Sequence, residues 1–331
     1  MKGQKKKGNN LVRILIVVLA IGFVFFGVKL ATGLSEQNED RNASHQAGPP
    51  AASTWGNRVD YEGAKYRTNN SISTFLFLGI DYGAKEETGN MIGTGGRSDT
   101  IILFVMDDDT KTIRTLLIPR DTMVSVDLYD QKGEYSFSGT MQINMQYTFG
   151  DSRKRSCFLT KKKVSDLLLG VRIDDHLSLD AEGIAPIVDQ MGGIPVTFHE
   201  DYTDIDPAYE KGKTMTLTGA DMEKFVRERD IETSGSAITR SYRHFDLLQN
   251  AFESLQKNKT GKSLEDVLSL ASEYIESDLD TKILEKLRTY KFEEEAIMLP
   301  GELKKGELHD EYYADEKAVA ELVLKLFYTE Q

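Results

Sequence analysis

From Ile14 to Val28 the chain is an unbroken apolar run, and no other feature restricts its architecture so strongly. Taken as a helix over residues 11–34, it is long enough to cross a hydrocarbon layer about 30 Å thick. Arg13 and Lys29 then reach the interfaces on their methylene stems. Lys2, Lys5, Lys6 and Lys7 precede the run, and Glu36, Glu39 and Asp40 follow it. Basic flanks stay inside, so the N-terminus is expected in the cytoplasm and everything after residue 34 outside. A cleaved leader begins the same way, but no small-x-small site follows the run, which favours an uncleaved anchor.

The expected organisation is a basic cytoplasmic tail over 1–10, a transmembrane helix over 11–34 and an extracytoplasmic linker over 35–70. An extracytoplasmic domain follows over 71–331, with its core at about 73–257 and a helical C-terminal part at 258–331. The linker is polar, with Pro49 and Pro50 among small residues, the composition of a flexible stalk. The tail and span carry six basic and no acidic side chains within residues 1–30, so a total of −12 leaves −18 for the rest. So acidic a domain repels nucleic acid, and any phosphate site in it has to be built from a local arginine cluster or a metal ion. The single cysteine, Cys157, excludes an internal disulfide and reads as a small buried side chain.

Apolar runs at 73–80, 100–106 and 112–118 read as buried strands, with a turn at 107–111. Helical periodicity follows at 161–169, 181–191 and 218–228, the last with Thr218 as N-cap. Gly192-Gly193 leads into a strand over 194–198. A helical stripe runs over 241–257, with further helices at 263–275 and 281–290. A last strand at 296–299 precedes a final helix over 315–327 capped by Asp315. Interleaved strands and helices make the class α/β, with helices on both faces of a sheet.

Three segments put charge at the ends of expected strands, where α/β proteins build sites. They are Gly79-Ile80-Asp81, Gly95-Gly96-Arg97-Ser98-Asp99-Thr100 just before a strand, and Pro119-Arg120-Asp121-Thr122 just after one. Asp81, Asp99 and Asp121 are candidate oxygen ligands for Mg²⁺, and Arg97 and Arg120 candidate bidentate phosphate contacts. Taken singly, each reads as turn chemistry or a structural ion pair; the weight lies in their accumulation. Arg227, Arg229, Arg240 and Arg243 flank the Gly/Ser loop 232–239, with Arg240 and Arg243 three apart on one helical face. Pairing with Glu223, Glu228 and Asp230 is the competing account. The five histidines lack metal-ligand spacing, and the stretch 89–96 has no phosphate-loop pattern.

These segments resemble the LytR-CpsA-Psr family of bacterial cell-envelope enzymes. The likeness is carried by FLFLGID (75–81), GGRSDTIILFVMD (95–107), IPRDTMV (118–124), QINMQYTFGD (142–151), LDAEGIAPIVDQMGGIPV (179–196), LTGADMEKFVRERD (217–230) and TRSYRHFDLLQ (239–249), in the family's order. The resemblance implies a three-layer α/β/α sandwich with a central mixed sheet and a long apolar pocket. It implies a phosphotransferase that moves a glycopolymer from a polyprenyl-pyrophosphate carrier to peptidoglycan outside the bacterial cell membrane. By position, Asp81 and Asp99 would hold Mg²⁺, Arg97, Arg120, Arg227, Arg229, Arg240 and Arg243 would bind or neutralise the pyrophosphate, and Asp121 would orient Arg120 or help deprotonate the acceptor. Asn144 matches the family's asparagine. Two positions depart from the pattern: Tyr82-Gly83 where an arginine is common, and His244 where a glutamine is common. The alternatives are a catalytically inactive binder of the same lipids or wall polymer, and a transcription regulator, which external topology and acidity disfavour.

Overall fold

The computed structural model describes residues 55–82, 92–93, 95–198, 200–228, 233–256, 271–279 and 289–331. The expected span 11–34, the stalk up to residue 54, Gly83, Arg229 and most of the helices expected at 263–275 and 281–290 lie outside them. No helix among the described residues is long and apolar enough to cross a membrane. The chain divides into two compact units: one runs up to Ser178 and resumes at Lys291–Gln331, and the other is Leu179–Tyr290.

The first unit opens with β1 (Arg58–Tyr61) and β2 (Ala64–Thr68), an antiparallel hairpin inside the stretch expected to be a linker. β3 (Ile72–Asp81), β4 (Arg97–Asp107) and β5 (Thr112–Leu117) are its central strands, antiparallel in sequence. β4 is buried almost throughout, so its apolar run is continuous rather than alternating. It begins earlier than expected: Arg97 and Asp99 belong to the strand instead of preceding it. The polar hairpin β6 (Met123–Tyr129) and β7 (Tyr135–Gln142) leads into a 3-10 helix, Ile143–Phe149. α1 (Arg153–Leu167) starts eight residues before the expected helix, capped by Ser152, whose Oγ accepts from Arg155 N at 3.3 Å. β8 (Asp175–Asp180) carries the chain out of this unit.

The second unit contains α2 (Ile184–Met191), ended by Gly192 at φ 84°, a left-handed turn that costs glycine least. The pair β9 (Ile194–Thr197) and β10 (Thr214–Leu217) follows. α3 (Gly219–Arg227) has the expected Thr218 cap, completed as a capping box with Asp221. α4 (Ser236–Gln256) begins five residues before the expected start, so the end of the supposed Gly/Ser loop is helical. β11 (Ile275–Ser277) is a strand where a helix was expected to end. This unit's own core is aromatic: Phe198, Tyr202, Tyr209 and Phe225 are buried with Val188, Val196, Leu217 and Met222.

The chain re-enters the first unit through β12 (Lys291–Phe292) and β13 (Ile297–Met298), which both pair with β5 in parallel. The sheet there is ordered β8–β3–β4–β5–β12 and is mixed, as expected. A further hairpin, β14 (Gly301–Lys305) and β15 (Asp310–Ala314), precedes α5 (Glu316–Phe327). Asp315 caps α5, accepting from Ala318 N at 3.0 Å. β16 (Tyr328–Glu330) then closes against β2. Among the described residues beyond 290, five short strands accompany the expected final helix.

Candidate functional site

Antiparallel order brings the C-terminal ends of β3 and β5 and the N-terminal end of β4 to one end of the sheet. Asp81 closes β3 opposite Arg97, the first residue of β4. Ile80 pairs with Ser98 and Gly79 with Thr100, so Asp99 is the extra residue of a bulge, the kind of irregularity that re-aims a side chain. Gly96 allows the close approach here, since a Cβ on it would lie 2.6 Å from Ile80 and 2.9 Å from Tyr82.

Asp99, Arg120, Asp121 and Asn144 form one network. Arg120 Nη1 donates to Asp99 Oδ2, and its Nε lies 3.3 Å from Asp121 Oδ1. Asn144 Nδ2 donates to Asp99 Oδ1 at 3.1 Å. The 120–122 and 143–144 segments are tied by backbone bonds: Ile143 N donates to Thr122 O at 2.7 Å and Asn144 N to Arg120 O at 3.3 Å. Thr148 Oγ1 reaches back to Gly96 O at 3.2 Å. Asp99, Asp121 and Asn144 are buried, and Arg120 nearly so. One guanidinium thus reaches two buried carboxylates.

Sequence reasoning missed Gln142. Its Nε2 donates to Asp121 Oδ1 at 2.7 Å and to Asp310 O at 2.9 Å. Two acceptors on one side fix the amide's orientation. Tyr312 N also donates to Asp121 O at 2.9 Å, so the β14–β15 hairpin is latched to Asp121 from some 190 positions away. No local signal marks that contact, although Gln142 stands two residues from Asn144 in a segment singled out for other reasons.

Asp81 and Asp99 were the expected Mg²⁺ ligands. Among the described residues no group of three or more carboxylate, histidine or cysteine side chains is placed to hold a metal ion. The donor set nevertheless suits Mg²⁺: carboxylates stand on adjacent strands, and Asn144 Oδ1 is a buried oxygen with no hydrogen-bond donor among the described residues. Mg²⁺ commonly takes one or two carboxylates and completes its shell with waters and substrate phosphates.

The second unit holds the remaining arginines. Arg240 and Arg243 are both buried on α4. Arg243 Nη2 donates to Glu228 O, and its guanidinium lies 5.4 Å from the Phe225 ring centroid. Burial, and then the positive charge of Arg240, push Arg243 down to about 10. Arg227 instead pairs with Glu223 at 3.0 Å on a half-exposed face, which is the competing account given above. His244, at the second departure, is packed: its Nε2 lies 3.0 Å from Val226 O, and the carbonyl can only accept, so Nε2 carries a proton.

Comparison with known proteins accords with these segments. The chain is 26% identical over 272 residues to "Polyisoprenyl-teichoic acid--peptidoglycan teichoic acid transferase TagV" of Bacillus subtilis (strain 168), covering 80% of this chain. It spans 61% of TagV, less than two thirds of that protein's length. The fold matches that of Bacillus subtilis TagU with a TM-score of 0.56 at 20% identity, over 78% of this chain and 96% of that one. It also matches TagT bound to LI-WTA with a TM-score of 0.57 at 20% identity, over 78% and 90% of the two chains. The model of the LytR_cpsA_psr family covers residues 27–324, nearly the whole chain, and the protein therefore belongs to the LytR-CpsA-Psr family.

Proposed function

We propose that the chain is a membrane-anchored phosphotransferase that moves a glycopolymer from a polyprenyl-pyrophosphate carrier to peptidoglycan outside the bacterial cell. The observation that carries this reading is the buried Asp99–Arg120–Asp121 network at one end of the β3–β4–β5 sheet, held in place by Asn144 and Gln142. The names of the relatives point the same way, since TagV is a transferase of teichoic acid to peptidoglycan.

Leaving-group charge grows on a pyrophosphate in the transition state, and fixed cations in a buried site stabilise it at little reorganisation cost. Arg120 is fixed on two sides by Asp99 and Asp121, which leaves the rest of its guanidinium for phosphoryl oxygens. Arg97 opens β4 exposed at the same end and adds a mobile cation. Asp121, oriented by Gln142, is the group suited to accept the proton of an attacking hydroxyl. Asp81 and Asp99 would hold Mg²⁺, with Asn144 Oδ1 beside Asp99, and a bound ion would supply further Lewis-acid stabilisation of the leaving pyrophosphate. Arg240 and Arg243, and Arg227 and Arg229 near them in sequence, are proposed to bind or neutralise diphosphate charge. The test is turnover of a polyprenyl-pyrophosphate-linked glycan by the full chain in detergent with Mg²⁺. Arg120→Ala is expected to lower turnover by roughly a hundredfold or more; undiminished turnover in that variant would refute the mechanism.

A further inference from the structure

α1 is a basic element in an acidic chain. Between Arg153 and Lys163 stand six cationic side chains and no acid, whereas the whole chain carries −12. Part of that charge has structural employment: Lys163 is buried and pairs with Asp127 at 3.1 Å, and Lys161 Nζ donates to Asp174 O at 3.4 Å. Lys154 and Arg155 have no ion pair among the described residues. Lys162 is half-exposed in a pair with Asp166 on the same helix, an interaction that solvent screens.

Lys154, Phe158 and Lys162 recur at four-residue spacing and so lie on one stripe of the helix. Phe158 is 49% exposed there. The Arg155 guanidinium lies 5.2 Å from the Phe158 ring centroid and 5.4 Å from that of Tyr129. The stripe therefore alternates cations with aromatic faces. It also starts at the candidate site. The Arg153 guanidinium lies 6.0 Å from the ring centroid of Tyr82, which follows Asp81 and packs on Gly96 beside Arg97.

We infer that α1 is a binding track for a polyanionic, phosphodiester-linked glycopolymer, leading outward from the site. Lys154, Arg155 and Lys162 meet its phosphates, and Phe158 and Tyr129 meet its sugar or polyol faces. Continuity with the Asp81–Arg97 strand ends favours a polymer whose reacting end lies in the site over a bilayer surface, which would call for a patch placed without regard to that end. The inference rests on the proposed function and adds to it a surface, α1, that holds the polymer beyond the strand ends.

The test measures binding of a synthetic poly(glycerol phosphate) to the full chain in detergent micelles, with neutral dextran and phosphatidylglycerol vesicles as parallel probes. The wild type is expected to bind poly(glycerol phosphate), weakening with salt, and to ignore dextran. Lys154→Glu, Arg155→Glu and Lys162→Glu together are expected to weaken it by about tenfold or more. Lys154→Gln with Lys162→Gln, which adds no new repulsion, should act in the same direction if the triple variant folds poorly. Unchanged binding in both variants, equal binding of dextran, or binding to the vesicles alone overturns the track. Loss of transfer activity alongside intact, α1-dependent polymer binding would count instead against the proposed reaction.

Discussion

Removing the Arg120 guanidinium takes one cationic partner from two buried carboxylates, Asp99 and Asp121. Removing one partner of a buried ion pair is strongly destabilising, so Arg120→Ala should cost roughly 3–5 kcal/mol in chemical denaturation, besides its effect on turnover. Arg120→Lys keeps the charge but not the fork that reaches both partners; it should recover part of the stability and little of the activity. Arg243 presents the opposite case. Its burial beside Arg240 makes the charged form costly, so Arg243→Met is expected to stabilise the fold by about 1–4 kcal/mol while weakening diphosphate binding. The sign is checkable by pH. A guanidinium lowered to about 10 in the fold releases its proton there before the unfolded chain does, so the unfolded state binds more protons above that pH. Wild-type stability should therefore gain on that of Arg243→Met as pH rises from about 10 toward 12. A constant difference between the two denaturation series across that window would refute the account.

At the scale of elements, the capping box at Thr218 is a clean target. Thr218 Oγ1 accepts from Asp221 N at 3.3 Å, and Asp221 Oδ2 accepts from Thr218 N at 3.0 Å. Thr218→Ala should lower stability by about 1 kcal/mol, read by calorimetry, and leave α3 otherwise intact. The same element shows what a sequence can disclose. Thr218 and Asp315 were legible as caps because a side-chain oxygen before an apolar stripe has one common use. β3, β4 and β5 were legible because each carries a continuous apolar run, which for β4 reflects burial on both faces. The first half of α1 was not, since RKRSCFLTKKK has too few apolar positions to mark a period. β6, β7, β14 and β15 are half-exposed hairpins with interrupted alternation, and β1 and β2 sit in polar sequence that reads as stalk. Of the site, Asp99, Arg120, Asp121 and Asn144 were legible by motif, and the structure joins them directly. Gln142 was not, because its partner Asp310 is set by tertiary pairing alone.

For the whole molecule, topology is the property to measure. An impermeant protease added to intact cells should degrade the chain beyond residue 34 and spare the basic tail; full protection would sink the external placement. Cys157 offers an internal control, being fully buried, and should react with a thiol reagent only as the fold opens. One consequence follows from the path of the chain. The strand β5 has β4 on one side, and among the described residues its other side pairs with β12 and β13, which follow the whole 179–290 unit in sequence. As the polypeptide emerges N-terminus first, β5 must wait for residues beyond 290 with a row of unsatisfied amides and carbonyls facing solvent. Such a naked edge recruits neighbouring chains, and ladders between distant segments form slowly. Nascent copies that lose their last forty or so residues should therefore clump rather than persist as shortened monomers.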